Sequence, residues 1–157
     1  MEKLLLFTDG SVNTQTKVGF GAYLTVTAQE TDMDSLIVKV KRFEHTSSTK
    51  LELQTLLWTL NEIKTFDNKI IVYTDSQNIV GLLGRRDKLE KSNYHSKKNK
   101  LLNNYKLYQE FYKLTDQLNC EFHKVRGHLK SHKKGDIDKL FTLVDKASRK
   151  ALREDNQ

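Results

Sequence analysis

Proline is absent from the 157 residues, and cysteine occurs once, at Cys120. Without proline no stiff Pro-rich linker separates domains, and the length suits one domain with a substantial core, so we expect a single domain over residues 1–157. A lone cysteine excludes an intramolecular disulfide and a cysteine-based metal framework, and it favours an intracellular, cytoplasmic protein. No apolar run approaches the roughly 18 residues of a membrane-spanning helix, so we expect no membrane partner.

Positive charge is in excess, with 27 Lys and Arg against 20 Asp and Glu and a net charge of +7. Such an excess favours a polyanionic partner such as a nucleic acid. The bases concentrate in residues 84–106, which include Arg85, Arg86, Lys88, Lys91, Lys97, Lys98, Lys100 and Lys106. One interpretation is a solvated charged segment that is locally disordered or helical. The other is a basic protrusion that grips phosphates.

Two apolar runs end in the same way, in Thr-Asp. Leu4–Phe7 leads to Asp9, and Ile70–Tyr73 leads to Asp75. Either acid alone has a structural explanation, because Asp-Gly closes hairpins and an aspartate commonly caps a helix N-terminus. A buried strand, however, gains nothing by ending in an unpaired acid, since desolvating a charge is costly. The pair therefore predicts two carboxylates brought side by side at one edge of a sheet.

The remaining patterns predict a mixed sheet of about five strands with helices on its faces. Alternating or apolar runs predict strands at 18–27, 36–44, 69–74 and 120–125. Apolar residues at helical spacing predict a helix that ends near 66, and further helices over 76–83, 101–118 and 137–153. The first three strands suit an antiparallel meander. The strand–helix–strand order that follows suits a fourth strand lying parallel to the first. The sequence thus predicts an α/β fold.

Two further acids are candidates for the same site. Glu52 fits a capping box with Thr49, or it lies in the first turn of a helix and faces the sheet. Asp145 lies beside the apolar face of the last helix, and Asp136 and Asp138 compete with it. Clustered carboxylates without cysteine partners favour Mg²⁺, with Mn²⁺ as a substitute, and two such ions can clamp a phosphodiester. This arrangement is typical of a nuclease.

At this point the chain resembles the type 1 ribonuclease H family over nearly its full length. The resemblance rests on five short motifs in the family's order. They are Thr8–Ser11 (TDGS), Ser47–Leu53 around the glutamate, Thr74–Gln77 (TDSQ), Val125–His128 (VRGH) and Val144–Ser148 (VDKAS). The resemblance implies a ribonuclease H-like fold with a five-stranded mixed sheet, in which the first and fourth strands are adjacent and parallel.

The resemblance also implies an activity and its residues. The expected reaction is hydrolysis of the RNA strand of an RNA–DNA hybrid with two Mg²⁺ ions, leaving 5′-phosphate and 3′-hydroxyl ends. Asp9, Glu52, Asp75 and Asp145 are the expected metal ligands. His128 is expected to assist proton handling or product release.

Substrate contacts follow from the same resemblance. Discrimination of RNA from DNA should rest on the 2′-hydroxyl. The positions expected to contact substrate are Gly10, Ser11, Ser48, Thr49 and Gln77, with Lys97, Lys98 and Lys100 on the basic segment. The expected partner is the hybrid duplex, bound by a monomer without an obligate protein partner. Two alternatives stay open, namely a DNA nuclease of this fold, such as a junction resolvase, and a non-catalytic hybrid-binding module.

Overall fold

A computed structural model of the protein describes residues 2–27, 35–125 and 135–155. The strands of these residues are β1 (Leu4–Asn13), β2 (Val18–Thr27), β3 (Lys39–Phe43), β4 (Ile70–Thr74) and β5 (Cys120–Lys124). Their helices are α1 (Ser48–Glu62), α2 (Gln77–Val80), α3 (Arg86–Lys91), α4 (Tyr105–Gln117) and α5 (Asp136–Asp155), with a 3₁₀ turn at Leu83–Arg85. None of the described helices is both long enough and apolar enough to cross a bilayer.

The five strands form one sheet in the order β3-β2-β1-β4-β5. β1 pairs antiparallel with β2, and it pairs parallel with β4 in a register that sets Leu4 beside Ile70 and Phe7 beside Tyr73. The predicted mixed sheet and the parallel neighbourhood of the first and fourth strands are confirmed. Because β1 and β4 run the same way, the residues that follow Phe7 and Tyr73 emerge at the same edge of the sheet.

The sheet is covered on both faces. On one face Leu6 and Val72 are fully buried against α1 and α4, and on the other Phe7 is buried against Val144 of α5. Burial on both sides explains why β1 and β4 are nearly continuous apolar runs. Side-chain packing on both faces of the sheet therefore sets the position of the ends of β1 and β4.

Glycines allow α1 to approach the sheet closely. A Cβ atom on Gly21 would lie 2.1 Å from the hydroxyl oxygen of Thr55, and one on Gly19 would lie 2.7 Å from Leu51 Cδ2. Any side chain at Gly21 would thus collide with the helix. The absence of side chains at Gly19 and Gly21 of β2 lets the first turns of α1, which carry Glu52, pack directly on the sheet.

Several element boundaries differ from those predicted. β3 is shorter than 36–44, because its pairing with β2 stops at Lys39. The helix predicted from 101 starts at Tyr105, because Leu101 forms an isolated bridge with His95 instead. The helix predicted over 76–83 ends at Val80, and a separate 3₁₀ turn follows.

Residues 84–106 are ordered and partly helical, and most of their side chains are exposed. Tyr94 is buried in the core, and its carbonyl accepts a hydrogen bond of 2.8 Å from the Leu102 N–H. Arg86 makes two hydrogen bonds to the Asp116 carboxylate, at 2.6 and 2.9 Å, and lies over the Tyr112 ring. These contacts tie the segment to α4. The bases are therefore carried on an ordered projection, which we call the basic protrusion.

Candidate active site

Three of the predicted acids line one small cavity where β1 and β4 reach the edge of the sheet. Asp9, Glu52 and Asp75 all contribute to its wall. Asp9 lies in β1, Asp75 directly follows β4, and Glu52 lies near the start of α1. The parallel pairing of the two strands and the close approach of α1 therefore bring carboxylates from three elements together.

The structure rejects the hairpin explanation for Asp9. The residue lies inside β1 and pairs with Ala22 of β2. The turn comes later, at Asn13, whose side-chain oxygen accepts hydrogen bonds from the backbone N–H groups of Gln15 and Thr16 at 2.9 and 3.2 Å. Asp9 is therefore free of a turn-forming role.

The capping explanations for the other two acids are also wrong. Ser47 caps α1, and its hydroxyl accepts from the Lys50 N–H, so Glu52 has no part in a capping box with Thr49. Ser76 caps α2, one residue after Asp75. The N-caps of α1 and α2 are therefore serine hydroxyls and not the carboxylates of Glu52 and Asp75.

Glu52 is oriented by a specific partner. The Ser76 hydroxyl donates a hydrogen bond of 2.6 Å to Glu52 Oε2. Burial raises the pKa of Glu52, and this hydrogen bond opposes the rise because it favours the charged form. The carboxylate is therefore held facing the cavity.

The carboxyl group of Asp9 is strongly perturbed by its surroundings. Burial, followed by the neighbouring charge of Asp75 and a hydrogen bond with Asp145, raises the pKa of Asp9 to about 8. A carboxyl in this setting holds a proton at neutral pH unless a cation compensates the crowded negative charge. Without a bound cation, neighbouring carboxylates in a buried site repel one another. Perturbed pKa values of this kind are common at functional sites.

Asp145 of α5 completes the group of predicted acids through its hydrogen bond with Asp9. Its carboxylate also pairs with Arg149 Nε at 2.9 Å. Its competitors lie in the first turn of α5, where Asp138 accepts a 3.4 Å hydrogen bond from the Gly135 N–H. At 1.5 Å per residue, Asp138 lies about 10 Å along the helix from Asp145. The structure therefore brings Asp145, rather than Asp136 or Asp138, to Asp9.

The donor chemistry of this group fits a hard divalent cation. Its ligating atoms are carboxylate oxygens, which Mg²⁺ prefers. Burial, together with the neighbouring charge of Asp75, raises the pKa values of Asp9 and Glu52. Within residues 2–27, 35–125 and 135–155, no three His, Cys, Asp or Glu side chains are already arranged around a single ion position. Three of the four acids, Asp9, Glu52 and Asp75, nevertheless line the same cavity.

The predicted substrate residues differ in their surroundings. Gly10 lines the cavity, whereas the Ser11 hydroxyl lies 3.1 Å from the Ser148 hydroxyl and is engaged within the protein. Ser48 and Thr49 are exposed in the first turn of α1, and Gln77 is exposed at the start of α2. These three side chains are therefore accessible to a ligand.

His128 lies outside the described residues, so its predicted role stays a prediction. Lys97, Lys98 and Lys100 of the basic protrusion, by contrast, are all exposed. They project from a tight turn that is closed by a 2.7 Å hydrogen bond from the Ser96 N–H to the Lys100 carbonyl. Asn99 adopts a left-handed conformation with φ 60° within it. Lys97, Lys98 and Lys100 are therefore carried on an ordered turn.

A groove beside this turn adds further positive charge. It is lined by Arg85, Lys88, Leu89, Ser92, His95, Ser96, Lys97 and Leu102. Basic and hydroxyl side chains together suit the oxygens of a phosphate backbone.

Two residues of the site were missed by sequence reasoning. Ser76 was overlooked although the spacing Ser76 to Ile79 is the ordinary N-cap pattern. Thr55 lies one turn after Glu52 on α1 and lines the same cavity. Its helical spacing from Glu52 was the available signal.

Comparisons with known proteins agree with this architecture. A family model described as RNase H matches residues 1–151. A sequence comparison with curated proteins finds no match.

Solved structures resemble the chain at low sequence identity. The solution structure of the PFV RNase H domain has a TM-score of 0.76 at 12% identity, covering 94% of this chain and 92% of that domain. The crystal structure of LC9-RNase H1, described as a type 1 RNase H with the type 2 active-site motif, has a TM-score of 0.72 at 16% identity, covering 95% and 71%. A foamy viral protease-reverse transcriptase in complex with an RNA/DNA hybrid has a TM-score of 0.71 at 6% identity, covering 95% of this chain and 19% of that one. At these identities the likeness establishes the fold.

Proposed function

The chain belongs to the RNase H family, and from this premise we propose that it hydrolyses the RNA strand of RNA–DNA hybrids. The observation that carries the proposal is the shared cavity of Asp9, Glu52 and Asp75 at the edge where β1 and β4 end. A module that only bound nucleic acid would gain nothing from concentrating negative charge there, since phosphates are repelled by it. The proposed products carry 5′-phosphate and 3′-hydroxyl ends.

Asp9, Glu52, Asp75 and Asp145 would hold the divalent cations, and we propose two Mg²⁺ ions. When bound, such a pair supplies activation of the attacking water and stabilisation of the leaving oxygen. The carboxylate oxygens fit this role by their chemistry. The raised pKa of Asp9 supports it, because burial and the neighbouring charge of Asp75 disfavour the carboxylate form, which bound cations would stabilise.

The protein's own groups prepare this site. Ser76 keeps one oxygen of Glu52 fixed through its 2.6 Å hydrogen bond. Asp9 has a pKa of about 8, which reflects burial and the nearby acids, and it would give up its proton on holding a cation. The carboxyl of Asp145 is the hydrogen-bond partner of Asp9 and lies next to that proton. Cation binding should therefore release a proton near neutral pH.

Binding of the hybrid is proposed to use surfaces on both sides of the cavity. The exposed Lys97, Lys98 and Lys100 would neutralise backbone phosphates. The exposed side chains in the first turns of α1 and α2 (Ser48, Thr49 and Gln77) would read the 2′-hydroxyl. For His128 the family resemblance alone supports a role in proton handling or product release.

A substrate panel tests this function. Purified protein is incubated with end-labelled RNA–DNA hybrid, duplex DNA, duplex RNA and a four-way DNA junction, with Mg²⁺ or with EDTA. We expect Mg²⁺-dependent cleavage of the RNA strand of the hybrid alone. Cleavage of the junction would identify a resolvase instead, and tight hybrid binding without cleavage would identify a binding module.

A further inference from the structure

Two serine hydroxyls join α5 to β1 beside the acids. Ser11 Oγ and Ser148 Oγ lie 3.1 Å apart, and the Ser148 hydroxyl donates to the Asp145 carbonyl at 3.1 Å. A hydroxyl has only one hydrogen, so Ser11 is the donor in the bond between the two serines. The result is a directional chain of hydrogen bonds from β1 through Ser148 to the backbone of Asp145.

Packing alone does not explain the hydroxyl of Ser148. This residue is 0% exposed, and the other buried residues of α5 are Leu140, Phe141 and Val144. Serine is a weaker helix former than alanine, and burying a hydroxyl costs free energy unless it is hydrogen-bonded. Alanine has the shape of serine without the oxygen and would fill the same space. The bond to Ser11 therefore accounts for the hydroxyl better than a core contact does.

Ser11 and Asp9 lie on the face of the sheet that α5 covers. Phe7 packs in the core cluster to which α5 contributes, and side chains two residues apart in a strand share a face. Phe7, Asp9 and Ser11 are therefore directed to the same side. On α5, Asp145 and Ser148 are three residues apart and are neighbours on the helix surface. Each element thus presents two polar side chains to the interface between β1 and α5.

Two polar contacts consequently cross this interface side by side, one between Asp9 and Asp145 and one between Ser11 and Ser148. Their spacings are comparable, because two residues of a strand span about 6.6 Å and three residues of a helix span about 4.5 Å. A slide of α5 by one turn, about 5.4 Å, would break both contacts. Apolar packing has no directional preference, whereas a hydrogen bond does. The serine pair is therefore able to set the register of α5 on β1.

We propose that Ser11 and Ser148 are positioning residues for Asp145, because they fix the register of α5 on β1 and thereby hold this carboxyl at Asp9. In this role Ser11 acts on the site through α5, which differs from the substrate contact that the family resemblance implies for it. The consequence for Mg²⁺ rests on the proposed function, because groups that orient a ligating carboxylate strengthen metal binding. The register itself does not depend on that function.

Variants that lack the hydroxyls test this role. Mg²⁺ alone is titrated into wild type, Ser11→Ala, Ser148→Ala and the double variant, and binding is followed by calorimetry. No substrate is present, so a contact between Ser11 and substrate cannot contribute. We expect about 10-fold weaker Mg²⁺ affinity for each single variant. The double variant should lose no more than a single one, because both substitutions break the same hydrogen bond.

Two further variants serve as controls. Thr59→Val removes another fully buried hydroxyl, which bonds the Thr55 carbonyl within α1. Ser11→Thr retains a hydroxyl on β1. Both should bind Mg²⁺ within about twofold of the wild-type affinity. Equal affinities of Ser148→Ala and wild type, or losses that add in the double variant, would overturn the role of the serine pair. Failure of the wild type to bind Mg²⁺ would instead overturn the proposed function.

The register is tested separately, without metal, by crystal structures of wild type and Ser148→Ala. We expect α5 to shift by about 1 Å along β1 in the variant, with loss of the contact between Asp145 and Asp9. An Asp145 carboxyl that occupies the same place in both structures would contradict the positioning role.

Discussion

The Ser76 hydroxyl donates to Glu52 Oε2 at 2.6 Å and accepts from the Ile79 N–H at 3.2 Å. A hydroxyl can do both, since it has one donor hydrogen and two acceptor lone pairs. One atom therefore caps α2 and orients a carboxylate on α1. The start of α2 and the acidic cavity are thereby built as a unit.

The first prediction concerns this double role. Ser76→Ala should lower the rate of hybrid cleavage about 10-fold or more, because Glu52 loses its orienting donor. It should also lower the free energy of unfolding by about 1 kcal/mol through loss of the cap. Steady-state kinetics and urea denaturation measure the two effects. Ser47→Ala is the control, since it removes the cap of α1 without touching Glu52. A wild-type rate of hybrid cleavage for Ser76→Ala would show that Ser76 serves only as the N-cap of α2.

The second prediction concerns the pH dependence of stability in the absence of metal. Asp9 ionises with a pKa of about 8 in the folded protein and about 3.9 in the unfolded chain, so the folded state binds the extra proton between these values. The free energy of unfolding should therefore fall as pH rises through that window. Asp9→Asn should weaken this slope and raise the free energy of unfolding at pH 8 by at least about 1 kcal/mol. Urea denaturation in EDTA at pH 5 and pH 8 measures the free energy of unfolding of both proteins. The same change with pH in wild type and Asp9→Asn would contradict the raised pKa of Asp9.

The third prediction distinguishes the acids of α5. Asp145→Asn should reduce the cleavage rate by orders of magnitude, because this carboxyl contacts Asp9. Asp136→Asn and Asp138→Asn should have mild effects, since both lie in the first turn of the helix. Rates at saturating Mg²⁺ decide the matter. A severe effect confined to Asp138→Asn would move the fourth ligand to that residue.

The fourth prediction concerns the basic protrusion. Replacing Lys97, Lys98 and Lys100 by alanine should weaken hybrid binding and flatten its salt dependence, by up to about 0.9 in the log–log slope per lost phosphate contact. The cleavage rate at saturating substrate should change little, because uniform binding affects KM and not kcat. Hybrid affinity is measured across a salt series.

A control for the lysines comes from the opposite end of the sheet. Lys3 and Lys64 are exposed beside the start of β1 and the end of α1. Their double replacement by alanine should leave the slope unchanged. Identical slopes for the lysine triple variant and the wild type would remove the protrusion from the interface.

The sequence was most informative where burial dictates the residue type. The Thr-Asp endings of β1 and β4 were recognisable because two-sided burial demands apolar runs, and the acids interrupt them abruptly. Side-chain partners were not recognisable in the same way. Glu52 fitted a capping box by spacing, yet Ser47 took that role, since several hydroxyls near a helix start can serve as the cap.

The protrusion shows a second limit of sequence reasoning. A run of bases is usually solvated, and its order here comes from Tyr94 in the core and from Arg86 bound to Asp116 on α4. Both contacts join segments distant in sequence, so no local pattern announces them. Thr55 was missed for the same reason, because it packs closely against Gly21, a residue of a different element.

The most direct measurement compares the wild type with Asp9→Asn on a hybrid whose RNA strand is end-labelled. Single-turnover cleavage is followed with Mg²⁺ and with EDTA, and circular dichroism verifies that both proteins are folded. We expect Mg²⁺-dependent cleavage of the RNA strand by the wild type and no detectable cleavage by folded Asp9→Asn. Comparable cleavage by the two proteins would show that the carboxylate cavity is not the catalytic centre.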